Sequence, residues 1–219
     1  MRSTFFIPFC IFFCSIFNCV RAQVIRPVAV QFHFNNHYFP LVHKGIAAGI
    51  NIDSTDAEVV SVAATALQCD IESITGLKAP VLKNGKSLSA YPVIIGTLGQ
   101  SSLIDRLAAA RKIQVEKVHG KWETFCICVV EKPFKNVKQA LVIYGSDKRG
   151  TAFGVFELSR QMGISPFVWW ADVTPMHHND IYIAPGTNLV GPPSVKYRGI
   201  FLNDEDWGCL LYTSDAADE

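Results

Sequence analysis

Short β-branched apolar runs alternate with stretches of helical periodicity between residues 28 and 163, and this alternation limits the fold more than any other feature of the chain. Residues 28–34 read as a strand, and residues 45–52 as another beyond Pro40. Thr55 and Glu58 then match a capping box. Val59, Val60, Ala63, Ala66, Leu67, Ile71 and Ile74 follow at helical spacing, and Gly76 stops the run. YPVIIGTL, residues 91–98, reads as a buried strand, and Ser101 and Ser102 are placed to cap a helix carrying Leu103, Ile104, Leu107, Ala108 and Ala110. Strands are expected over 123–130 and 139–144, with a turn near Pro133. A third helix is expected from about Gly150 to a left-handed stop at Gly163. Alternating elements favour an α/β fold, a mixed sheet with covering helices, over residues 23–174.

From Pro175 to Pro193 the composition shifts to Pro, Gly, His and Asn, with a short strand at 180–184 inside it, and residues 175–194 read as a linker. Residues 195–208 begin something new: GIFL runs straight into Asp204, Glu205 and Asp206. A complete (β/α)8 barrel takes about 250 residues, so this segment can hold only the first strand of one. The fold class expected is therefore an N-terminal α/β accessory domain followed by the first strand of a truncated TIM barrel.

Residues 1–22 read as a signal peptide. Arg2 supplies the positive start, residues 5–20 are almost uninterrupted apolar sequence, and Val20-Arg21-Ala22 precedes Gln23 as a small-x-small cleavage site. The apolar run of roughly 16 residues is short for a spanning helix, which needs about 20. Ile16-Phe17-Asn18 lacks the small residues expected before a lipidated Cys19. The expected location is secreted or periplasmic, with no membrane association after cleavage near Ala22.

Of the seven cysteines, Cys69, Cys126 and Cys128 lie in the expected domain. They read as buried free thiols, Cys126 and Cys128 on one face of a strand and Cys69 on the apolar helical stripe. No metal site is expected, because His33 and His37 lack a third ligand and the adjacent His177 and His178 would point apart on a strand. A formal net charge of +1 without a basic cluster gives no footprint for nucleic acid.

Three stretches could carry chemistry. GSDKRGTAFG, residues 145–154, joins a strand to a helix with glycines as a phosphate loop does, but Thr151 follows Gly150 where that motif needs Lys. A milder reading has Lys148, Arg149 and the free N–H groups of the helix start binding a carboxylate. FVWWADV, residues 167–173, is either core or a platform on which Trp169 and Trp170 stack the apolar face of a sugar. NDEDWG carries acids at the carboxyl end of an apolar strand, the end where a barrel builds its site. Glycoside hydrolysis needs two carboxyl groups in different protonation states, and neighbouring acids raise one another's pKa.

SDKRGTAFGVFELSRQMGISPFVWWADV followed by VKYRGIFLNDEDWG resembles glycoside hydrolase family 115, the xylan α-1,2-glucuronidases, and the likeness runs from about residue 28 to 208. The resemblance implies an inverting hydrolase that removes glucuronic acid or its 4-O-methyl ether from glucuronoxylan side chains, without a cofactor, as a homodimer when intact. It assigns Asp206 as a catalytic pocket carboxylate and Asn203, Asp204 and Glu205 as substrate contacts, to which the glycine-rich loop adds Arg149 as a contact for the substrate carboxylate. The family's general-acid glutamate would lie on a later barrel strand. Two positions depart from the pattern: Arg160 stands where an acid is usual, and Cys209 replaces Leu after DEDWG. Residues 209–219, CLLYTSDAADE, read as the translation of a sequencing adapter rather than native sequence. The chain is therefore expected to be an inactive fragment, the alternative being a secreted carbohydrate-binding module using Trp169 and Trp170.

Overall fold

A computed structural model describes residues 27–84 and 88–199. The expected signal peptide, the acids Asp204, Glu205 and Asp206 with Asn203, and the segment 209–219 lie outside those residues.

Two sheets form. The larger runs β10-β7-β8-β6-β4-β5, built from β4 (Ile50–Ile52), β5 (Val81–Lys83), β6 (Val93–Thr97), β7 (Phe125–Glu131), β8 (Gln139–Gly145) and β10 (Thr187–Val190). Its β5-β4-β6-β8 half is parallel and its β8-β7-β10 half antiparallel. The smaller, antiparallel sheet runs β1-β9-β2-β3, from β1 (Ala29–Gln31), β2 (Phe39–His43), β3 (Ile46–Ala47) and β9 (Ile181–Ala184).

The larger sheet is buried on both faces, and strand alternation sorts its side chains. Val93, Ile95, Ile127, Leu141 and Ile143 enter one core with Phe39, Leu41, Ile181 and Ile183 of the smaller sheet. Ile94, Cys126, Cys128, Val142 and Tyr144 enter the other. Two-sided burial of this kind produces continuous apolar runs such as VIIG and FCICVV. Helix α1 (Glu58–Thr75) and helix α3 (Lys148–Gln161) cover the first face, and α2 (Ser102–Ala109) covers the second with Ile113 and Val118. A single-turn α4 (Val168–Ala171) follows α3.

The α/β class and mixed sheet agree with expectation; four local readings do not. The expected capping box is absent: α1 starts at Glu58, its N-cap is Ala57 with no side-chain bond, and the Thr55 hydroxyl instead donates to Asp53 and the Gln100 carbonyl. The run 45–52 is split between the two sheets, and β2 lies where Pro40 suggested a break. Pro40 sits at a register shift against β9, one of the few places a sheet tolerates a proline. Residues 181–184, where a short strand was expected, and 187–190, where none was, pair into the two sheets, so the stretch that read as a linker is part of the fold. Cys69 is exposed, because α1 turns Val60, Ala63, Ala64, Leu67, Ile71 and Ile74 inward and leaves position 69 on the outer face. Cys126 and Cys128 are buried free thiols as expected, and the hydrogen bond to Cys126 together with burial pushes the Cys128 thiol up. The helix stop at Gly76 is also as expected, at φ 71°.

Helix α3 lies unusually close to the sheet. A Cβ at Gly150 would meet the Thr124 carbonyl oxygen at 2.5 Å, and one at Gly154 would meet Ile143 Cγ2 at 2.8 Å. The Gly150 obstacle is backbone and cannot swing aside, so Gly150→Ala must displace the helix from β7. Denaturant unfolding of Gly150→Ala is expected to show a loss of about 3 kcal/mol, at the upper end for overpacking; a loss below about 0.5 kcal/mol would contradict this packing.

Candidate functional site

The loops at the carboxyl ends of the parallel strands, where an open α/β sheet usually binds ligand, are closed by the chain's own carboxylates. Asp53, just beyond β4, accepts from the Ser102 N–H (3.0 Å) and hydroxyl (2.6 Å) with one oxygen, and from the Thr55 N–H (3.1 Å) and hydroxyl (2.9 Å) with the other. It thereby caps α2 from a distance. The expected local cap fails: Ser101 is the N-cap residue but makes no side-chain cap, and its hydroxyl is buried without a partner among the described residues. Asp56 accepts from the Ala57 N–H (2.8 Å) and the Thr97 N–H (2.7 Å), bridging α1 to the end of β6.

The third parallel strand end, at the glycine-rich loop, follows the same pattern. Asp147 Oδ1 accepts from the Arg149 and Gly150 N–H groups at 3.0 and 2.8 Å, and its Oδ2 accepts from the Glu123 N–H at 2.6 Å. The N–H groups that a nucleotide phosphate or a substrate carboxylate would need are held by a carboxylate of the protein.

Arg149 points away from that loop, to Glu123. Its Nε lies 3.1 Å from Glu123 Oε1, and Arg198 bonds the other oxygen, Oε2. Glu123 is only 6% exposed, whereas the Arg149 side chain is 57% exposed. The guanidinium of Arg149 lies 5.8 Å from the Phe153 ring centre, and that of Arg198 lies 5.8 Å from Phe153 and 5.9 Å from Trp122. Glu123, Phe125, Phe153, Val190, Gly191, Pro192 and Arg198 line a pocket of about 360 Å³ here.

A larger open groove, about 1220 Å³, runs along α1 and α3 between Val62, Thr65, Cys69, Phe153, Phe156 and Arg160. Val62 and Phe156 are exposed in it. Arg160, the position where an acid was expected, forks onto Glu157 through two 2.8 Å bonds and holds that carboxyl below its usual range. Phe167 is 63% exposed beside α4, while the side chains of Trp169 and Trp170 lie outside the described residues.

Among the described residues no group of three or more His, Cys, Asp or Glu is placed to hold a metal ion. Phe32 stacks on His178 at 3.5 Å, and the His43 ring bonds the Tyr182 hydroxyl at 2.6 Å. No described helix is long and apolar enough to cross a membrane.

Sequence reading placed Arg149 at this end of the fold but missed Asp53, Asp147 and Glu123. The signal for the first two was an acid directly after an apolar strand. Glu123 carried none, since an acid opening WETFCICVV looks like an ordinary exposed strand end.

Four hydrogen bonds hold the Asp53 carboxyl down at about 2. A carboxyl depressed by folding stabilises the fold fully above its unfolded pKa near 4, and that contribution is lost as pH falls towards 2. Asp53→Asn is therefore expected to flatten the acid limb: between pH 4 and 2 the variant loses less stability than the parent, by at most about 1 kcal/mol at so solvated a site. Parallel acid limbs in denaturant unfolding would contradict the assignment.

No protein-family model matches the chain, and no curated protein matches it. Among solved structures, BtGH115A, described as a family GH115 4-O-methyl-α-glucuronidase with specificity for decorated arabinogalactans, is 33% identical with a TM-score of 0.58. The match covers 77% of this chain and 21% of that one, so the chain spans about a fifth of that protein's length. A second structure, CpGH84D, is 7% identical with a TM-score of 0.40 over 74% of this chain and 23% of that one, too distant to carry an argument. Over the matched region the chain has a fold like that of part of a GH115 glycoside hydrolase, which relates it to that class of enzyme.

Proposed function

We propose that the chain is the N-terminal part of a secreted family 115 glycoside hydrolase that removes glucuronic acid, or its 4-O-methyl ether, from the side chains of a plant polysaccharide. The observation that carries this reading is the 33% identity to a GH115 4-O-methyl-α-glucuronidase over 77% of the chain. The motif VKYRGIFLNDEDWG supports it independently by its resemblance to the opening strand of that family's barrel. In this reading residues 1–22 direct export, the α/β domain is accessory, and Asp206 is a pocket carboxylate that orients or activates water. Asn203, Asp204 and Glu205 contact the sugar from the same strand end.

Inversion requires the second carboxyl group about 6.5–9.5 Å away, with water between. The resemblance puts that general acid on a later barrel strand, so residues 1–219 alone release no product. Arg149 is a less direct contact: a guanidinium already paired with Glu123 offers a substrate carboxylate only its outer N–H groups. The resemblance points to glucuronoxylan, whereas the structural neighbour acts on decorated arabinogalactans.

The test is to read the source locus across codon 209, express the uninterrupted frame and assay glucuronate release from both polymers. The expected outcome is an open frame beyond Gly208 and release from at least one polymer. Asp206→Asn should lower kcat at least about a thousandfold, as loss of a carboxylate acting on water does. A stop codon in the intact genome, or no release from either polymer, contradicts the proposal.

The alternative, a carbohydrate-binding module, draws on the exposure of Phe167 beside Trp169 and Trp170. Tryptophan fluorescence of the 219-residue chain decides it: a module shows quenching by xylan or arabinogalactan oligosaccharides, and a blue-shifted, sugar-insensitive signal excludes one.

A further inference from the structure

We infer that Glu123 is a positioning residue: its buried carboxylate, clamped between Arg149 and Arg198, fixes the direction in which the chain leaves the α/β domain at Gly199. The inference rests on the proposed hydrolase only for what that direction serves. The clamp itself is a property of the described residues.

Glu123 stands two residues before β7 with φ 46°, a left-handed backbone that costs a non-glycine residue energy. That conformation is held from three sides. Asp147 takes the Glu123 N–H at 2.6 Å. Gly150 of α3 lies so near that a Cβ there would come within 3.2 Å of the Glu123 carbonyl carbon. From the outgoing chain, Gly191 has φ 111°, and a Cβ on it would lie 2.9 Å from Thr124 Cα and 3.1 Å from the Glu123 oxygen. Two glycines thus let α3 and the segment after β10 reach the same dipeptide.

Beyond Gly191 the chain passes Pro192 and Pro193 and turns back. Arg198 donates through one terminal nitrogen to the Val195 carbonyl at 2.7 Å and through the other to Glu123 Oε2. Its side chain is 34% exposed, and its guanidinium lies near the Trp122 and Phe153 rings. One carboxylate therefore binds a guanidinium with each oxygen, Arg149 from α3 on one side and Arg198 from the outgoing segment on the other. A buried carboxylate left without any cation would be unfavourable, and with a guanidinium on each oxygen Glu123 keeps one partner if the other is lost. The strained backbone, the two close glycines and the double pairing all converge where the domain hands the chain on. Packing alone would not need a left-handed glutamate here.

Two measurements on the 219-residue chain test the clamp, and neither depends on activity. The first is trypsin cleavage of the Arg198–Gly199 bond, timed by mass spectrometry against cleavage after exposed Arg111 in the turn beyond α2. Glu123→Gln keeps the size of the side chain and removes its charge. It is expected to speed cleavage after Arg198 at least tenfold while the rate after Arg111 stays within twofold. Arg149→Gln, which leaves Oε2 and Arg198 in place, should stay within threefold of the parent at both bonds. An unchanged rate after Arg198 in Glu123→Gln, or a rise matched at Arg111 or by Arg149→Gln, overturns the inference. The second needs no variant that must fold: in ¹⁵N spectra of the parent chain, a clamped Arg198 shows separate Nη–H signals from hindered guanidinium rotation. A single averaged Arg198 signal overturns the inference as well.

Discussion

The arrangement depends first on the burial of β8 on both faces. Ala140, Leu141, Val142, Ile143 and Tyr144 are fully buried, and their alternate side chains feed the two separate cores. This strand is also where the parallel half of the sheet meets the antiparallel half, with β6 on one side and β7 on the other. A strand so placed has no polar face, and even its tyrosine must find a partner: the Tyr144 hydroxyl donates to the Gln114 carbonyl at 3.1 Å. Because β8 is fixed, its end at Gly145 and the Asp147 that follows are fixed too. From Asp147 the positions of α3, the start of β7 and Glu123 all follow.

A second regularity is that acids at the ends of the parallel strands serve the fold itself. Asp53, Asp56 and Asp147 each take backbone N–H groups from an element other than the strand they follow. Such bonds replace the local helix caps that the sequence around α1 and α2 suggested, and they consume the donors that a nucleotide-binding sheet would leave for phosphate. The topology alone would suggest a ligand crevice at these strand ends. The hydrogen-bond partners point to a scaffold instead, which is compatible with the accessory role proposed above.

How much of this was legible in the sequence follows from the range of the forces involved. Periodicity reports burial along one element, so α1, β6, β7, β8 and α3 were readable to within a few residues, and so was the stop at Gly76. Pairing between distant segments leaves no such trace. FPLVH was obscured by Pro40, which is tolerated beside a register shift in β2 itself, between Pro40 and Val42. IYIA was read as a short strand but not as part of a sheet, and TNLV was obscured by the prolines and glycines around it, although these residues mark the turns and not an absence of pairing. Cys69 was misjudged because the apolar stripe of α1 is narrower than its composition suggests. The candidate site divides the same way: the glycine-rich loop singled out Arg149 as a contact for a substrate carboxylate, but its partner in the fold, Glu123, is defined only by what folds over it.

Under the proposed function this domain precedes the barrel of an inverting glucuronidase. The most direct test is proton NMR of the sugar first released from an α-linked glucuronate side chain, by the uninterrupted protein and by residues 1–219 side by side. The account predicts the β-anomer appearing first from the longer protein and no release from the shorter one. Initial release of the α-anomer, or turnover by the shorter chain, would contradict it.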